Sequence, residues 1–227
     1  MGDATIPASG FSGTKPAFEA DRSVDLAALH ASPAVLAIRD RLLIGLAFAS
    51  GSFEAICFLS FGKIFSAFQT GNVVLLGVGL AGTRPPFGPD WVRVVISLVS
   101  FAAGAALATR MLARFDGDEE VEDADITVAW PRRVSIVLSV VLVLQVAFLV
   151  VWMATSPSSG VSNTLMALNA LGMGAQMNAI RSMHVPGVST TAATATFISL
   201  VTGASNGTMN WPVLRRLGGV LIAMSLG

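Results

Sequence analysis

The chain has 227 residues, of which 53% are hydrophobic and 12% are charged, and its formal net charge is zero. Charged residues are about half as frequent as in an average soluble domain, and the mean hydropathy is +0.71, so the composition indicates membrane spans rather than one large soluble core. The balanced charge gives no reason to expect nucleic acid as a partner. The single cysteine excludes an intramolecular disulfide, and two isolated histidines argue against a zinc or haem site, so we expect no cofactor and no bound metal.

Residues 1–38 are predicted to be a disordered or membrane-surface tail, because their first 23 positions are rich in Gly, Ser, Pro, Ala and Thr. A short amphipathic helix over 24–31, ended near Pro33, is one interpretation of the rest, and a loosely ordered tail is the other. Residues 39–227 are predicted to form an all-α, polytopic membrane bundle of about five or six membrane segments, with the lipid bilayer as its main partner.

The first predicted span, Leu42–Phe61, is long enough to cross about 30 Å of hydrocarbon. It contains Glu54, the only acidic residue inside an apolar segment, three positions after Gly51 and therefore on nearly the same helix face. An intramembrane carboxyl group is costly, so Glu54 is a candidate functional group. The alternative is a structural glutamate that hydrogen-bonds to a neighbouring helix.

Six more apolar segments follow, and two of them contain runs too short to cross the bilayer. Those runs are 73–81 and 192–201, each about half the length that a spanning helix needs. The final eleven residues, Leu217–Gly227, cannot span alone, so the last span is expected to be truncated. In chain order the other segments are Ile64–Gly82, Trp91–Leu112, Val134–Val151, Leu165–Met183 and Ala192–Val201.

An internal repeat is also predicted. A shift of 124 positions superposes Glu54 on Asn178, and the triplet Thr70-Gly71-Asn72 on Thr194-Ala195-Thr196. One shift that serves both an intrahelical polar position and a short polar triplet indicates a duplication. Chance similarity among helices rich in Ala, Gly and Thr is the alternative explanation.

The basic residues favour a topology in which both short runs enter the bilayer and return to the same side. If both runs crossed, the basic residues near membrane ends would divide six against six. If both re-enter, nine lie on the side of the N-terminus and three on the other, namely Lys63, Arg84 and Arg93. The N-terminus is then cytoplasmic, and the repeat halves at 42–112 and 165–227 have inverted topology, as in transporters with a central site. The alternative is that the count misleads in a chain with so few charges.

Four motifs carry a resemblance to a known family. They are Gly51-Ser52-Phe53-Glu54-Ala55, Gln69-Thr70-Gly71-Asn72, a helix with Gln176, Asn178 and Arg181, and the pair Thr190-Thr191. In order and spacing they resemble the YoaK-like bacterial membrane proteins, a family catalogued under a domain of unknown function. Glu54 stands where that family usually has Asp, and Thr194-Ala195 where it has Thr-Gly. The resemblance implies a polytopic protein of the bacterial inner membrane and implies no particular substrate.

We expect a small secondary transporter or permease for a small solute or ion, working as a homo-oligomer. Glu54 would be its protonatable or cation-binding group, and Arg181 would pair with Glu54 or with an anionic substrate, unless it only snorkels to the interface. A non-transporting membrane scaffold or accessory subunit is the alternative, with the polar groups joining helices by hydrogen bonds. No catalytic set or phosphate loop is present, so no enzyme activity is expected. The predicted site comprises Glu54, Gln69, Thr70, Gly71, Asn72, Gln176, Asn178, Arg181, Thr190, Thr191 and Thr194.

Overall fold

The computed structural model describes residues 32–82, 89–115, 130–156, 158–185, 188–189, 193–207 and 210–227. Every regular element among them is an α-helix, which confirms the predicted helical membrane bundle. The predicted tail at 1–31 lies outside the described residues. The helices are α1 (Pro33–Ser60), α2 (Gln69–Leu80), α3 (Trp91–Arg114), α4 (Arg132–Ala154), α5 (Ser159–Arg181), α6 (Ala193–Ser205) and α7 (Trp211–Leu226).

The first helix begins earlier than hydropathy alone predicts, because its first turn is capped. The Ser32 side chain accepts a hydrogen bond from the Val35 N–H, and Pro33 occupies the first position, where a missing N–H costs nothing. Residues 33–38, which the sequence assigned to the tail, are therefore helical. Pro33 starts a helix here rather than ending one.

Two later helices also begin before their apolar cores. The Ser158 side chain accepts a hydrogen bond from the Val161 N–H, so α5 starts at Ser159, ahead of the predicted start at Leu165. The last helix starts at Trp211 rather than at Leu217. A hydropathy pattern does not predict these starts, because the first turn of α5 is polar and the first turn of α7 carries a proline.

Length and apolar composition distinguish the long helices that could cross a membrane from two short apolar helices. Three helices, α1, α3 and α4, are long and apolar enough to cross a membrane by length and composition. The short helices α2 and α6 contain 12 and 13 residues. At about 1.5 Å per residue they reach only about 18 to 20 Å, less than the roughly 30 Å of a hydrocarbon core.

The central helix of the bundle is α5. It packs along α3 and α4 and also contacts α1, while α1 packs against α7, α2 against α3, and α6 against α7. Near one end of α5, Ile180 lies in a cluster with Leu43, and further back Asn169 hydrogen-bonds to Cys57. Helices α1 and α5 are therefore antiparallel.

The crossing of α3 and α5 depends on glycine, because the two backbones touch there. A methyl group on Gly104 would overlap the backbone carbonyl of Leu171. A methyl group on Gly174 would likewise overlap the carbonyl of Phe101. Small residues at a crossing let membrane helices approach closely, and here each helix contributes one.

The crossing of α1 and α7 repeats this arrangement. A methyl group on Gly51 would overlap the Met224 carbonyl, and one on Gly227 would overlap the carbonyl of Phe48. A shift of 123 positions relates the four residues of this crossing to the four at the α3–α5 crossing. The shift is forward for the two residues on α1 and backward for Met224 and Gly227. The shift of 124 predicted from the sequence is thus wrong by one position for these helices.

The two ends of the bundle are here called the Arg39 end, near the start of α1, and the Phe61 end, just beyond its last residue. Helix α3 begins at the Phe61 end, since Arg93 in its first turn donates to the Phe61 carbonyl oxygen at 3.2 Å. Arg93 also donates to Asn163, near the start of α5, at 3.0 Å. Helix α1 therefore finishes where α3 and α5 begin.

Helix α2 starts inside the bundle and returns to the Phe61 end. The segment 61–68 turns back from that end, so that Asn72 in the first turn of α2 contacts Ser97 within α3. Near the finish of α2, Gly79 lies against Trp91, the first residue of α3. Helix α2 thus starts within the bundle and ends at the end from which the chain entered, as a re-entrant segment would.

Helix α6 re-enters from the opposite end. Its first residue, Ala193, borders a small cavity together with Ser50 and Glu54, in the interior part of α1. Helix α7 begins at the Arg39 end, since Arg216 lies 3.9 Å from Asp40. The chain thus leaves α5 at the Arg39 end, starts α6 inside the bundle, and is back at the Arg39 end for α7.

Candidate functional site

The Glu54 carboxyl group collects hydrogen bonds from the turn that precedes α2. Its Oε2 accepts from the backbone N–H groups of Ser66 and Ala67, each at 3.0 Å, and its Oε1 accepts from the N–H of Phe68 at 3.0 Å. The Ser66 hydroxyl also donates to Oε2. Hydrogen bonds to a carboxylate are stronger than those between neutral groups. Glu54 therefore fixes the start of α2 against α1.

Asn169 of α5 connects this carboxyl group to the core. Its Nδ2 donates to Ser66 Oγ at 2.9 Å and to Cys57 Sγ at 3.0 Å. Asn169 is fully buried, and its Oδ1 has no hydrogen-bond partner among the described residues. The contacts from Glu54 through Ser66 to Asn169 thus join α1, the turn before α2, and α5.

Asn72 closes the same turn from the first turn of α2. Its Oδ1 accepts from the Phe65 N–H at 3.0 Å, and its Nδ2 donates to the Phe65 carbonyl at 2.6 Å. The same Nδ2 lies 3.0 Å from both Gln69 Oε1 and Ser97 Oγ. Asn72 is fully buried, so the backbone groups that it satisfies would otherwise face an apolar interior unpaired.

Thr196 makes the equivalent contacts before α6. Its Oγ1 accepts from the Ser189 N–H at 3.0 Å and donates to the Ser189 carbonyl at 3.2 Å. Like Asn72, Thr196 is fully buried. The step from Phe65 and Asn72 to Ser189 and Thr196 is 124 positions, which is the shift predicted for this part of the chain.

The other predicted residues of the first short segment divide between the turn and the surface. Gln69 donates to the Ser66 carbonyl at 2.7 Å. A methyl group on Gly71 would lie 2.8 Å from the Phe68 ring, so glycine allows the close packing of this turn. Thr70 is exposed, and its hydroxyl has no partner among the described residues. The structure therefore gathers all of these except Thr70 around one turn.

The predicted residues on α5 do not assemble around α6. Gln176 donates to Ser50 on α1 at 2.8 Å. Asn178 faces α3 instead, where it donates to the Ala105 carbonyl at 3.0 Å and to Thr109 Oγ1 at 2.7 Å. Both side chains join helices, and they do so on different sides of α5.

Arg181 stands apart from Glu54. It is exposed in the last turn of α5, at the Arg39 end, and no ion pair joins the two residues. Thr194, in the first turn of α6, is exposed as Thr70 is. Thr190 and Thr191 lie outside the described residues.

Glu54 and Asn178 are not equivalent positions. The shift of 123 that relates the helix crossings places Glu54 on Met177. The shift becomes 124 at the short helices, so the chain from Met177 to Ser189 is one residue longer than its counterpart from Glu54 to Phe65. Only one of the two matched positions carries a carboxyl group.

Three polar residues of the site escaped prediction from the sequence: Ser66, Ser97 and Asn169. Asn169 carries a signal, because it is one of few polar residues in a long apolar segment. The two serines carry none, since serine is common throughout such segments and only the fold brings them to the turn.

Two neighbouring cavities border the starts of the short helices. The larger, about 440 Å³, lies between the first turns of α2 and α6 and is also lined by Phe101 of α3 and Met177 of α5. The smaller, about 160 Å³, is lined by residues that include Ser50 and Glu54. Phe68 borders both, so the cavities adjoin at the turn that Glu54 holds.

Comparison with known proteins agrees with the motifs. The family described as "Protein of unknown function (DUF1275)" matches residues 42–227. A relative from Bacillus subtilis (strain 168), "UPF0700 transmembrane protein YoaK", is 27% identical over 172 residues, which cover 73% of this chain and 67% of the relative. No solved structure matches the chain significantly. The matches confirm the YoaK-like resemblance and the transmembrane character of the chain.

Proposed function

The chain belongs to the DUF1275 family, and we propose that it is a small secondary transporter or permease with its central site between the two short helices. The observation that carries this proposal is the cavity bordered by the first turns of both α2 and α6. Broken or short helices that enter from opposite sides and meet near the middle of the membrane are typical of transporter sites. Non-helical backbone at that depth is tolerated where it is buried or lines a cavity, and the turn at 61–68 is placed so.

Glu54 is the group we propose for coupling to protons. As a carboxylate it accepts hydrogen bonds from three consecutive backbone amides and one hydroxyl. A carboxylic acid has one acceptor site fewer and no charge, so protonation would weaken its hold on the start of α2. Binding of a proton would thereby change how firmly one wall of the central cavity is fixed.

The distribution of basic residues supports an orientation. Helix ends that carry Arg39, Arg110, Arg133, Arg181 and Arg216 all lie at the Arg39 end, whereas Lys63 and Arg93 lie at the Phe61 end. Under the positive-inside rule the Arg39 end, with the start of α1, faces the cytoplasm. We place the protein in the bacterial inner membrane as a homo-oligomer without enzyme activity.

A scaffold or accessory subunit is the second candidate. It is favoured by the fact that both carboxyl oxygens of Glu54 are engaged by groups of the chain itself. Polar side chains that join helices in this way need no transported solute.

Flux measured in proteoliposomes separates the two functions. The full chain is reconstituted with a pH-sensitive dye inside, and an imposed proton gradient is followed with each of a panel of neutral and charged solutes outside. We expect solute-dependent proton flux that falls at least tenfold in Glu54→Gln. Thr164→Val, which removes an exposed hydroxyl bonded only within its own helix, is the matched control and should leave flux unchanged.

Two other outcomes would contradict the coupling role of Glu54 or the transporter itself. If Glu54→Gln is folded by size-exclusion chromatography and carries flux at the wild-type rate, the carboxyl group has no coupling role. If the folded wild-type chain moves neither protons nor any solute of the panel, the scaffold is the better description.

A further inference from the structure

The larger cavity, between the first turns of α2 and α6, has walls whose chemistry selects a class of ligand. Its volume of about 440 Å³ lies in the range of small-molecule sites. Most of its lining is apolar, and its large apolar side chains are Phe68, Phe101, Met177 and Ile198. The cavity is lined by four helices of the bundle, so a molecule held there would contact both halves of the chain.

Two threonine hydroxyl groups lie on the wall of this cavity. Thr70 and Thr194 both line the cavity, both are exposed, and neither hydroxyl has a hydrogen-bond partner among the described residues. Because neither side chain is buried, both hydroxyls are accessible to an oxygen atom of a bound molecule.

No ionisable side chain lines this cavity among the described residues. Glu54 borders only the adjoining smaller cavity, and its oxygens are held by the turn before α2. Arg181 is exposed at the Arg39 end. A charged molecule in the larger cavity would lose its hydration without gaining a counter-charge.

We propose that the cavity between α2 and α6 binds a small, uncharged and largely apolar molecule whose hydroxyl or carbonyl oxygen hydrogen-bonds to Thr70 and Thr194. This assignment rests on the proposed function in that it names the substrate class of the same central site. Binding is nevertheless a separate property, since a molecule can occupy the cavity whether or not it is transported.

The test uses a cysteine placed on the cavity wall. The wild-type chain has one cysteine, Cys57, which is buried, so it supplies the unlabelled background. Ala195→Cys, on the cavity wall beside Thr194, is made in the full chain in nanodiscs and labelled with a small maleimide, with Ile198→Cys as a second variant. Both variants leave the two threonines in place. Ser159→Cys, exposed at the start of α5, reports effects that do not depend on the cavity.

Three probes of one shape vary only in charge: 1-adamantanol, adamantane-1-carboxylate and 1-adamantylammonium. We expect 1-adamantanol to slow labelling of Ala195→Cys at least threefold, with no effect on Ser159→Cys and little effect from the two ions. In the Ala195→Cys background, Thr70→Val should raise the concentration of 1-adamantanol needed for protection about three- to tenfold, the loss expected for one hydrogen bond.

Other results would overturn either this proposal or the proposed function. Equal or better protection by either ion contradicts the uncharged class. Labelling that no probe slows, or cysteines at both wall positions that do not react at all, shows that the cavity is not a binding site. Protection by 1-adamantanol without flux of any solute would keep the site and remove the transporter, whereas flux without protection would keep the transporter and remove this substrate class.

Discussion

The two short helices have one side-chain contact in common, and they differ in the other hydrogen bonds that hold the turns before them. In each, a buried side chain in the first turn bridges the N–H and carbonyl of the residue seven positions earlier, Asn72 with Phe65 and Thr196 with Ser189. Before α2, Glu54 adds bonds to three consecutive backbone amides. The residue matched to Glu54 before α6 is Met177, which can make no such bonds.

The two halves of the chain therefore differ in the side chains that attach the start of the short helix to the bundle. The start of α2 is tied to α1 through Glu54, to α5 through Asn169, and to α3 through Ser97. Among the described residues, the start of α6 has Thr196 as its corresponding side-chain tie. We expect changes at Glu54 to loosen the start of α2 and to leave α6 unaffected.

The largest loss of stability is expected at the α3–α5 crossing, where the two helix backbones are in contact. In Gly104→Ala the added methyl group overlaps the Leu171 backbone, so the two helices must separate. We expect a loss of about 3 kcal/mol or more in unfolding free energy. The measurement is unfolding in mixed micelles with increasing SDS, followed by tryptophan fluorescence.

Gly45→Ala is the matched control for this change. A methyl group at Gly45 would meet nothing within 4 Å, and alanine is the better helix former, so the variant should be as stable as the wild type or slightly more stable. Equal stability of the Gly45 and Gly104 variants would mean that the crossing is not as close as described.

The second largest effect should come from Asn72→Ala. This change leaves the Phe65 N–H without its side-chain partner and removes the contact to Ser97, all in a buried site. We expect a loss of about 2 to 3 kcal/mol in unfolding free energy. Thermal unfolding in detergent measures it, and an unchanged midpoint would contradict the role given to this side chain.

Glu54→Gln tests the hydrogen bonds by which Glu54 holds the turn before α2. The amide keeps one acceptor oxygen but loses the charge and turns its NH₂ group toward backbone donors, so we expect a loss of about 1.5 to 2.5 kcal/mol. Hydrogen exchange followed by mass spectrometry should show faster exchange at Ser66, Ala67 and Phe68, with the amides of α6 unaffected.

Glu54→Asp is the conservative counterpart, because it keeps the charge on a shorter side chain. Exchange at the three amides should lie between the wild type and Glu54→Gln. If both variants protect these amides as well as the wild type does, the carboxyl group does not hold the turn, and the contrast between α2 and α6 disappears.

The sequence was sufficient for the architecture because membrane folds are constrained by hydrophobic length and by the distribution of basic residues. The short runs around Asn72 and Thr196 could be predicted as re-entrant on that ground alone. The location of a polar site at Glu54 also followed, since an acidic residue in an apolar segment needs a partner.

The sequence was not sufficient for the partners, because hydrogen bonds depend on the register of helices that are far apart in the chain. Asn178 was paired with Glu54 by a repeat shift of 124, whereas the helices pack at a shift of 123, and Asn178 therefore faces α3. A shift of one residue rotates a helix position by about 100°, so a small error in alignment moves a side chain to another face.

The smallest expected effect, Thr196→Val, bears most directly on the contrast between the short helices. Valine keeps the shape of threonine but cannot bridge the Ser189 N–H and carbonyl, so we expect a loss of about 1 kcal/mol, less than half the effect of Asn72→Ala. Hydrogen exchange should increase in α6 and remain unchanged in α2. A loss as large as that of Asn72→Ala would show that Thr196 holds the turn before α6 as firmly as Asn72 holds the turn before α2.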